Sequence, residues 1–208
     1  MEKINGKDYT EVSFGALQDA ISKAKADKDQ NDPALDQANI TAMKEAKAAL
    51  VSIVDLKAAL NEAAQHKAGT YTVSSYKLLK DAVTNAEPLK VNGTKEEVAN
   101  AAAAIRAAIK GLDKRAVGLD EYRDSIVLKK PEGYTEESYA AYKNAYDALM
   151  ALDSKETTAE MFANAKSAFE AAQAGLVQKP GSNGTGSSSN GTVSNGAVAT
   201  GDTVNVSA

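Results

Sequence analysis

A chain of 208 residues with a net charge of −4 has room for one ordinary domain or several small ones, and its scattered charges leave no basic footprint for nucleic acid. The chain is rich in Ala, Lys, Glu and Leu, has 5% aromatics and lacks tryptophan and cysteine; this favours helix and excludes disulfide scaffolds, thiolate zinc sites and cysteine nucleophiles. No run of 18 apolar residues could span a membrane, and the N-terminal MEKINGKDYT has no apolar signal core.

Along the chain, the first strong signal is Tyr9-Thr10-Glu11-Val12-Ser13-Phe14. It recurs as Tyr71-Thr72-Val73-Ser74-Ser75-Tyr76 and as Tyr134-Thr135-Glu136-Glu137-Ser138-Tyr139, at spacings of 62 and 63 positions. Thr10, Thr72 and Thr135 are expected helix N-caps, with hydroxyls that accept from unpaired backbone N–H groups. The flanking rings then fall at N′ and N4, the positions of a hydrophobic staple, and Ser13, Ser75 and Ser138 fall at N3. The first helix so capped should bury Phe14, Leu17 and Ile21. Asp32-Pro33 offers a cap followed by proline at N1, opening a helix that should present Ile40, Met43, Ala46 and Leu50. No Gly or Pro occurs between Ala34 and Ala68, and the apolar phase runs on through Ile53 and Leu60. These features predict one continuous rod across the first join, on the order of 50 Å long.

The second copy has Leu56, Leu60 and Ala63 on one helix and Tyr76, Leu79 and Val83 on the next. A Thr94–Glu97 capping box opens its last helix, with Val98, Ala101, Ile105, Ala108 and Leu112 on the inner face. Gly111 and Gly118 bracket Asp113-Lys114-Arg115 and should break the chain there, making this the looser join. The third copy repeats the pattern with Leu119, Tyr122 and Ile126, then Tyr139, Tyr142 and Tyr146. Either Thr157 or Thr158 caps the last helix, with Phe162, Ala165, Phe169, Ala172 and Leu176 facing inward. After Lys179 the composition turns to Gly, Ser and Asn, which predicts a flexible segment of roughly 30 Å reach. The expected fold is all-α: tandem three-helix bundles in an elongated array with a disordered C-terminal tail. The boundaries are 1–52 for a partial first module lacking its first helix, 53–115 and 116–178 for two full modules, and 179–208 for the linker.

The stretch Leu56 to Leu112, with Tyr71-Thr72-x-x-Ser75-Tyr76 and the Thr94-Lys95-Glu96-Glu97-Val98 box, resembles a FIVAR module ("found in various architectures"). The family usually has Ser-Trp where this chain has Ser75-Tyr76, Ser13-Phe14 and Ser138-Tyr139. The resemblance covers about residues 5–178. It implies three-helix bundles in a large secreted or wall-anchored protein of Gram-positive bacteria, where such modules accompany glycoside hydrolases, carbohydrate-binding modules or adhesin repeats. Absence of cysteine suits such a surface protein as well as it suits a reducing cytosol. The family lends no catalytic residue, and Ala199-Thr200-Gly201-Asp202-Thr203-Val204 looks like the run-up to a C-terminal anchor.

Site chemistry is sparse. The single histidine, His66, sits at the polar end of a helix with no second His or Cys to build a triad or zinc site, and is expected on the surface. Asp27-x-Asp29-x-Asn31 imitates a calcium loop, but Asp32 stands where glycine is required and Ala38 where a bidentate Glu is required. No GxSxG, Walker A or HExxH pattern occurs. No catalytic, cofactor-binding or metal-binding residue is assigned, and no cofactor is expected. The one candidate ligand surface is the tyrosine group of the third copy: Tyr122, Tyr134, Tyr139, Tyr142 and Tyr146. Exposed, they could stack on a sugar or anchor an interface; the i, i+3, i+7 spacing of Tyr139, Tyr142 and Tyr146 is instead that of a core. The expected function is therefore a non-catalytic, extracellular spacer, a monomer joined to neighbouring domains of its parent chain. The alternative is an adhesin-like module binding a host protein or glycan through a helix face.

Overall fold

The structure, a computed structural model, describes residues 4–181; nearly all of the expected tail lies outside them. The described residues form helices and no strand: α1 (Glu11–Asp27), α2 (Pro33–Ala48), α3 (Val54–Ala63), α4 (Val73–Ala86), α5 (Leu89–Asn92), α6 (Lys95–Lys110), α7 (Leu119–Asp124), α8 (Glu136–Met150) and α9 (Ala159–Ala174). The helices start where the caps are. Thr10 and Thr72 accept from Ser13 N and Ser75 N at 3.4 Å each. Asp32 accepts from Ala34 N at 2.9 Å, and Thr94 and Glu97 complete a reciprocal capping box. Thr158, not Thr157, caps α9 through Met161 N at 3.2 Å. Thr135 holds the N-cap place of α8 without accepting a backbone N–H; its hydroxyl bonds Ser138 Oγ instead, at 2.8 Å.

Packing follows the apolar stripes. α1 packs on α2. α3, α4 and α6 enclose a core of Leu56, Ala59, Leu79, Ala102 and Ile105. α7, α8 and α9 supply a second core around Leu119, Tyr142, Leu149 and Phe169. Full burial of a side chain such as Leu56 or Ile105 contributes about 1.5–3 kcal/mol, which helps explain how helices as short as α3 persist.

Three expectations are corrected. The continuous rod across the first join does not form: α2 ends at Ala48 and α3 begins at Val54. The backbone between them pairs elsewhere, with Thr10 N donating to Val51 O at 2.9 Å and Ile53 N donating to Asp8 O at 2.8 Å. A helix through this stretch would have to surrender those bonds. Secondly, Ile40 is not buried and is 41% exposed. Asn39 is buried in its place, donating to Asp27 Oδ2 at 3.1 Å. Thirdly, α7 stops at Asp124, so Ile126 packs from beyond a helix end. Arg123 on this short helix turns its guanidinium onto the carbonyls of Leu149 and Leu152 at the end of α8, where unpaired acceptors favour a cation.

The pairing at the first break recurs in every copy. Thr72 N donates to Asp113 O at 2.9 Å and Arg115 N to Thr70 O at 3.1 Å. Thr135 N donates to Val177 O and Lys179 N to Gly133 O, both at 2.8 Å. Single antiparallel bridges mark the three sites: Tyr9 with Ser52, Tyr71 with Lys114, and Tyr134 with Gln178. The serine one turn into each helix completes the clasp. Ser13, Ser75 and Ser138 Oγ accept from Val51, Asp113 and Val177 N at 3.2, 3.2 and 3.1 Å. Each Ser Oγ also lies 2.8 Å from the hydroxyl of its own threonine. The strand-like entry to one helix is thereby tied to the exit of the last helix in the same copy.

Two carboxylates, one in each of the first two copies, tie helices together. Arg106 on α6 forks onto the Asp55 carboxylate of α3 at 2.9 and 2.6 Å, and this bonding holds Asp55 below its usual pKa. Bonds from Lys23 first and Asn39 second do the same for Asp27. Carboxylates depressed in the folded state stabilise it above their unfolded pKa and lose that contribution as pH falls through the folded value. Urea unfolding should therefore show stability declining below about pH 4, with a shallower decline in Asp55→Asn. Equal pH slopes for the two proteins would contradict the assignment.

Candidate functional site

The five tyrosines of the third copy split by environment. Tyr142 is fully buried in α8, its ring centroid 5.5 Å from that of Phe169 and 6.0 Å from that of Tyr139. Its hydroxyl accepts from Lys129 N at 3.2 Å, while Tyr139 Oη donates to Lys129 O at 2.9 Å. The two phenols thus satisfy both backbone groups of one residue in the non-helical segment between α7 and α8. This accounts for aromatic residues at those positions: an extended segment laid over a helix leaves polar backbone that long side chains must reach. Tyr146 packs its ring 6.2 Å from Phe169. Tyr122 lies edge-on to Phe162 at 5.7 Å, and its hydroxyl donates to Glu170 Oε1 at 3.0 Å. Burial first, and the Glu170 contact second, push its phenol pKa upward. Tyr134 is half-buried in the clasp, with the Lys129 ammonium 6.0 Å from its ring centre.

Four of the five are half-buried and Tyr142 presents no surface. The structure brings Tyr139, Tyr142 and Tyr146 together on α8 and leaves Tyr134 at its entry. A hollow of about 340 Å³ is lined by Pro131, Tyr134, Tyr139, Lys143, Asn144 and Lys179. It offers ring edges and ammonium groups but no pair of carboxylates flanking a cleft.

His66 is half-buried rather than a free surface residue. Its Nδ1 lies 2.8 Å from Tyr71 Oη, and its carbonyl accepts from Tyr76 Oη at 3.4 Å. Position 66 in the second copy therefore answers to Lys129 in the third, each taking a bond from the ring one turn into the following helix. In the first copy Phe14 has no hydroxyl to give, and its ring lies directly over Gly6, where a Cβ would come within 2.3 Å of Phe14 Cε1. The calcium-like stretch is occupied by structure: Asp27 is engaged with Lys23 and Asn39, and Asn31 turns the chain with φ of 49°. Among the described residues no cluster of three His, Cys, Asp or Glu side chains is arranged around a common point. No described helix is long and apolar enough to cross a membrane.

The residues that sequence reasoning undervalued are the three serines, read as N3 positions and found to be the hinge-pins of the clasps. The signal was their recurrence at the same offset from Thr in all three copies. A second feature lies at the second join. Ser74 N contacts Glu156 Oε1 and Oε2 at 3.1 and 3.2 Å, and Ser74 Oγ donates to Glu156 Oε2 at 2.7 Å. Beside it Val73 N donates to Lys155 O at 3.1 Å and Ala116 N to Thr157 O at 2.8 Å. A carboxylate from the third copy thus caps the start of α4 in the second. No protein family, curated protein or solved structure matches the chain.

Proposed function

We propose that this chain is a non-catalytic spacer from a secreted or wall-anchored bacterial surface protein, built of tandem three-helix modules of the FIVAR kind. The observation that carries this reading is the fate of the recurring residues. Tyr, Thr and Ser at the head of each copy are spent on capping and clasping, and none of them converges on a site with reactive geometry. Repeated residues used up in this way point to selection for a foldable unit. Small units with alanine-rich cores bury little area and are marginal alone; stacking neighbours in a linear array offsets that.

A spacer makes two demands that can be measured. The isolated chain should show no saturable binding on a glycan array or to serum proteins. Deleting residues 53–115 from the parent protein should shorten its reach and leave the activity of its other domains unchanged. Saturable binding that Tyr134→Ala abolishes in a folded chain would overturn the spacer reading and favour adhesion to a host protein or glycan.

A further inference from the structure

We infer that the second and third copies form a latched, orientationally fixed pair, with Glu156 as the latch, while the first join is free of such a latch. The inference deepens the spacer reading, whose use it specifies, but its geometry stands without it. The two joins use corresponding segments: the stretch just before the last helix of one copy meets the capped helix of the copy before it. At the first join that segment is α5, lying against α1. At the second it is Lys155–Thr157, lying against the start of α4.

The bonding differs. One backbone bond, Val73 N to Lys155 O at 3.1 Å, crosses the second join. The Glu156 carboxylate adds three contacts to Ser74. A carboxylate at a helix N-terminus gains both from unpaired N–H groups and from the helix dipole, and a two-oxygen contact restricts rotation more than a single bond does. By repeat position, Val12 stands in the first copy where Ser74 stands in the second, and Asn92 stands where Glu156 stands in the third. Val12 lacks the hydroxyl and Asn92 the second carboxylate oxygen, so the three-contact latch has no equivalent there. No counterpart of the Val73 bond crosses the first join among the described residues, where Lys57 Nζ donates to Lys7 O at 3.2 Å instead. Val12 is left 60% exposed. Stiffness is thus distributed in the reverse of the order that glycine content implies: the join flanked by Gly111 and Gly118 is the fixed one.

The chain has no cysteine, so paired spin labels can be placed at will on the full-length protein. One pair, Asn85→Cys with Ser167→Cys, spans the second join; another, Lys44→Cys with Ala103→Cys, spans the first. Pulsed dipolar spectroscopy should give a narrow distance distribution across the second join and a broad one across the first. Glu156→Ala should broaden the second to at least the width of the first, while the thermal melt of each copy stays in place. Ser74→Val, which installs the residue of the first copy, should broaden it as well and guards against a folding defect peculiar to Glu156→Ala. Equal widths at the two joins, or a second-join width unmoved by both substitutions, would overturn the inference. An absence of ligand binding bears only on the spacer reading, so the two can fail separately.

Discussion

Tyr142→Ala is expected to unfold the third copy, lowering its stability by about 3–5 kcal/mol, the usual cost of truncating a fully buried aromatic side chain. The ring fills the space between Tyr139 and Phe169, and Leu149 further along α8 shares the same core. Tyr139 is held by its bond to Lys129 O and Phe169 is already buried against Tyr146, so neither neighbour is free to fill the void. The hydroxyl adds a separable part. Tyr142→Phe should cost only about 1 kcal/mol, by leaving Lys129 N unpaired. Urea unfolding followed by circular dichroism should then show two transitions in Tyr142→Ala, with the α3–α4–α6 core melting as before. A single unshifted transition would place the ring outside any core.

Ser75→Ala is expected to destabilise the second copy by about 1–3 kcal/mol, far more than a serine on a helix normally commands. Ser75 is only 5% exposed, and its hydroxyl sits at a crossing of bonds. It accepts from Asp113 N, meets the Thr72 hydroxyl, and donates to Thr72 O. Alanine would leave the Asp113 N–H without a partner at the exit of α6 and loosen the cap of α4 in one step. Ser167→Ala, on the exposed face of α9, is the control and should change stability by less than about 0.5 kcal/mol. A Ser75→Ala effect as small as the control's would show that the clasp is incidental to the fold.

Much of the fold was legible because helix starts are written locally. Thr10, Asp32, Thr72, Thr94 and Thr158 each announce a cap by residue type and by the first turn of residues after it. The inner faces of α4, α6, α8 and α9 could be read from apolar periodicity, since one packed face is all that each must satisfy. Failure came where long-range pairing outweighed local propensity. Residues 49–53 contain no helix breaker, yet Val51 and Ile53 bond the chain ahead of α1. The repeat itself held the correction: Ala49 occupies the place of Gly111 and Gly175, both of which close a helix. Aligning the copies would have ended α2 correctly, where counting Gly and Pro did not. Asn39 shows the same limit on the other side. A buried asparagine was invisible to an apolar template, because its partner Asp27 lies 12 positions away on another helix.

The tyrosines of the third copy were legible as spacing but not as chemistry. That Tyr139 and Tyr142 both serve the backbone of Lys129 depends on α7 stopping at Asp124, and nothing in Leu119–Ile126 shows a helix so short. Pro131 alone hinted at an extended approach, since the residue before proline avoids helical geometry. The Glu156 latch was out of reach for a different reason. Its partner Ser74 is 82 positions away, and the contact exists only once two copies are set side by side.

Amide hydrogen exchange at Thr10, Thr72 and Thr135 tests most directly whether the recurring Tyr-Thr-x-x-Ser head is a closing device for each copy. These three N–H groups lie outside any helix ladder and donate only across the clasp, to Val51, Asp113 and Val177. If the clasps close the copies, all three exchange as slowly as the core amides of Leu17, Leu79 and Tyr142. Exchange at the rate of an open loop amide such as Asp29, in a chain whose helices remain protected, would contradict it.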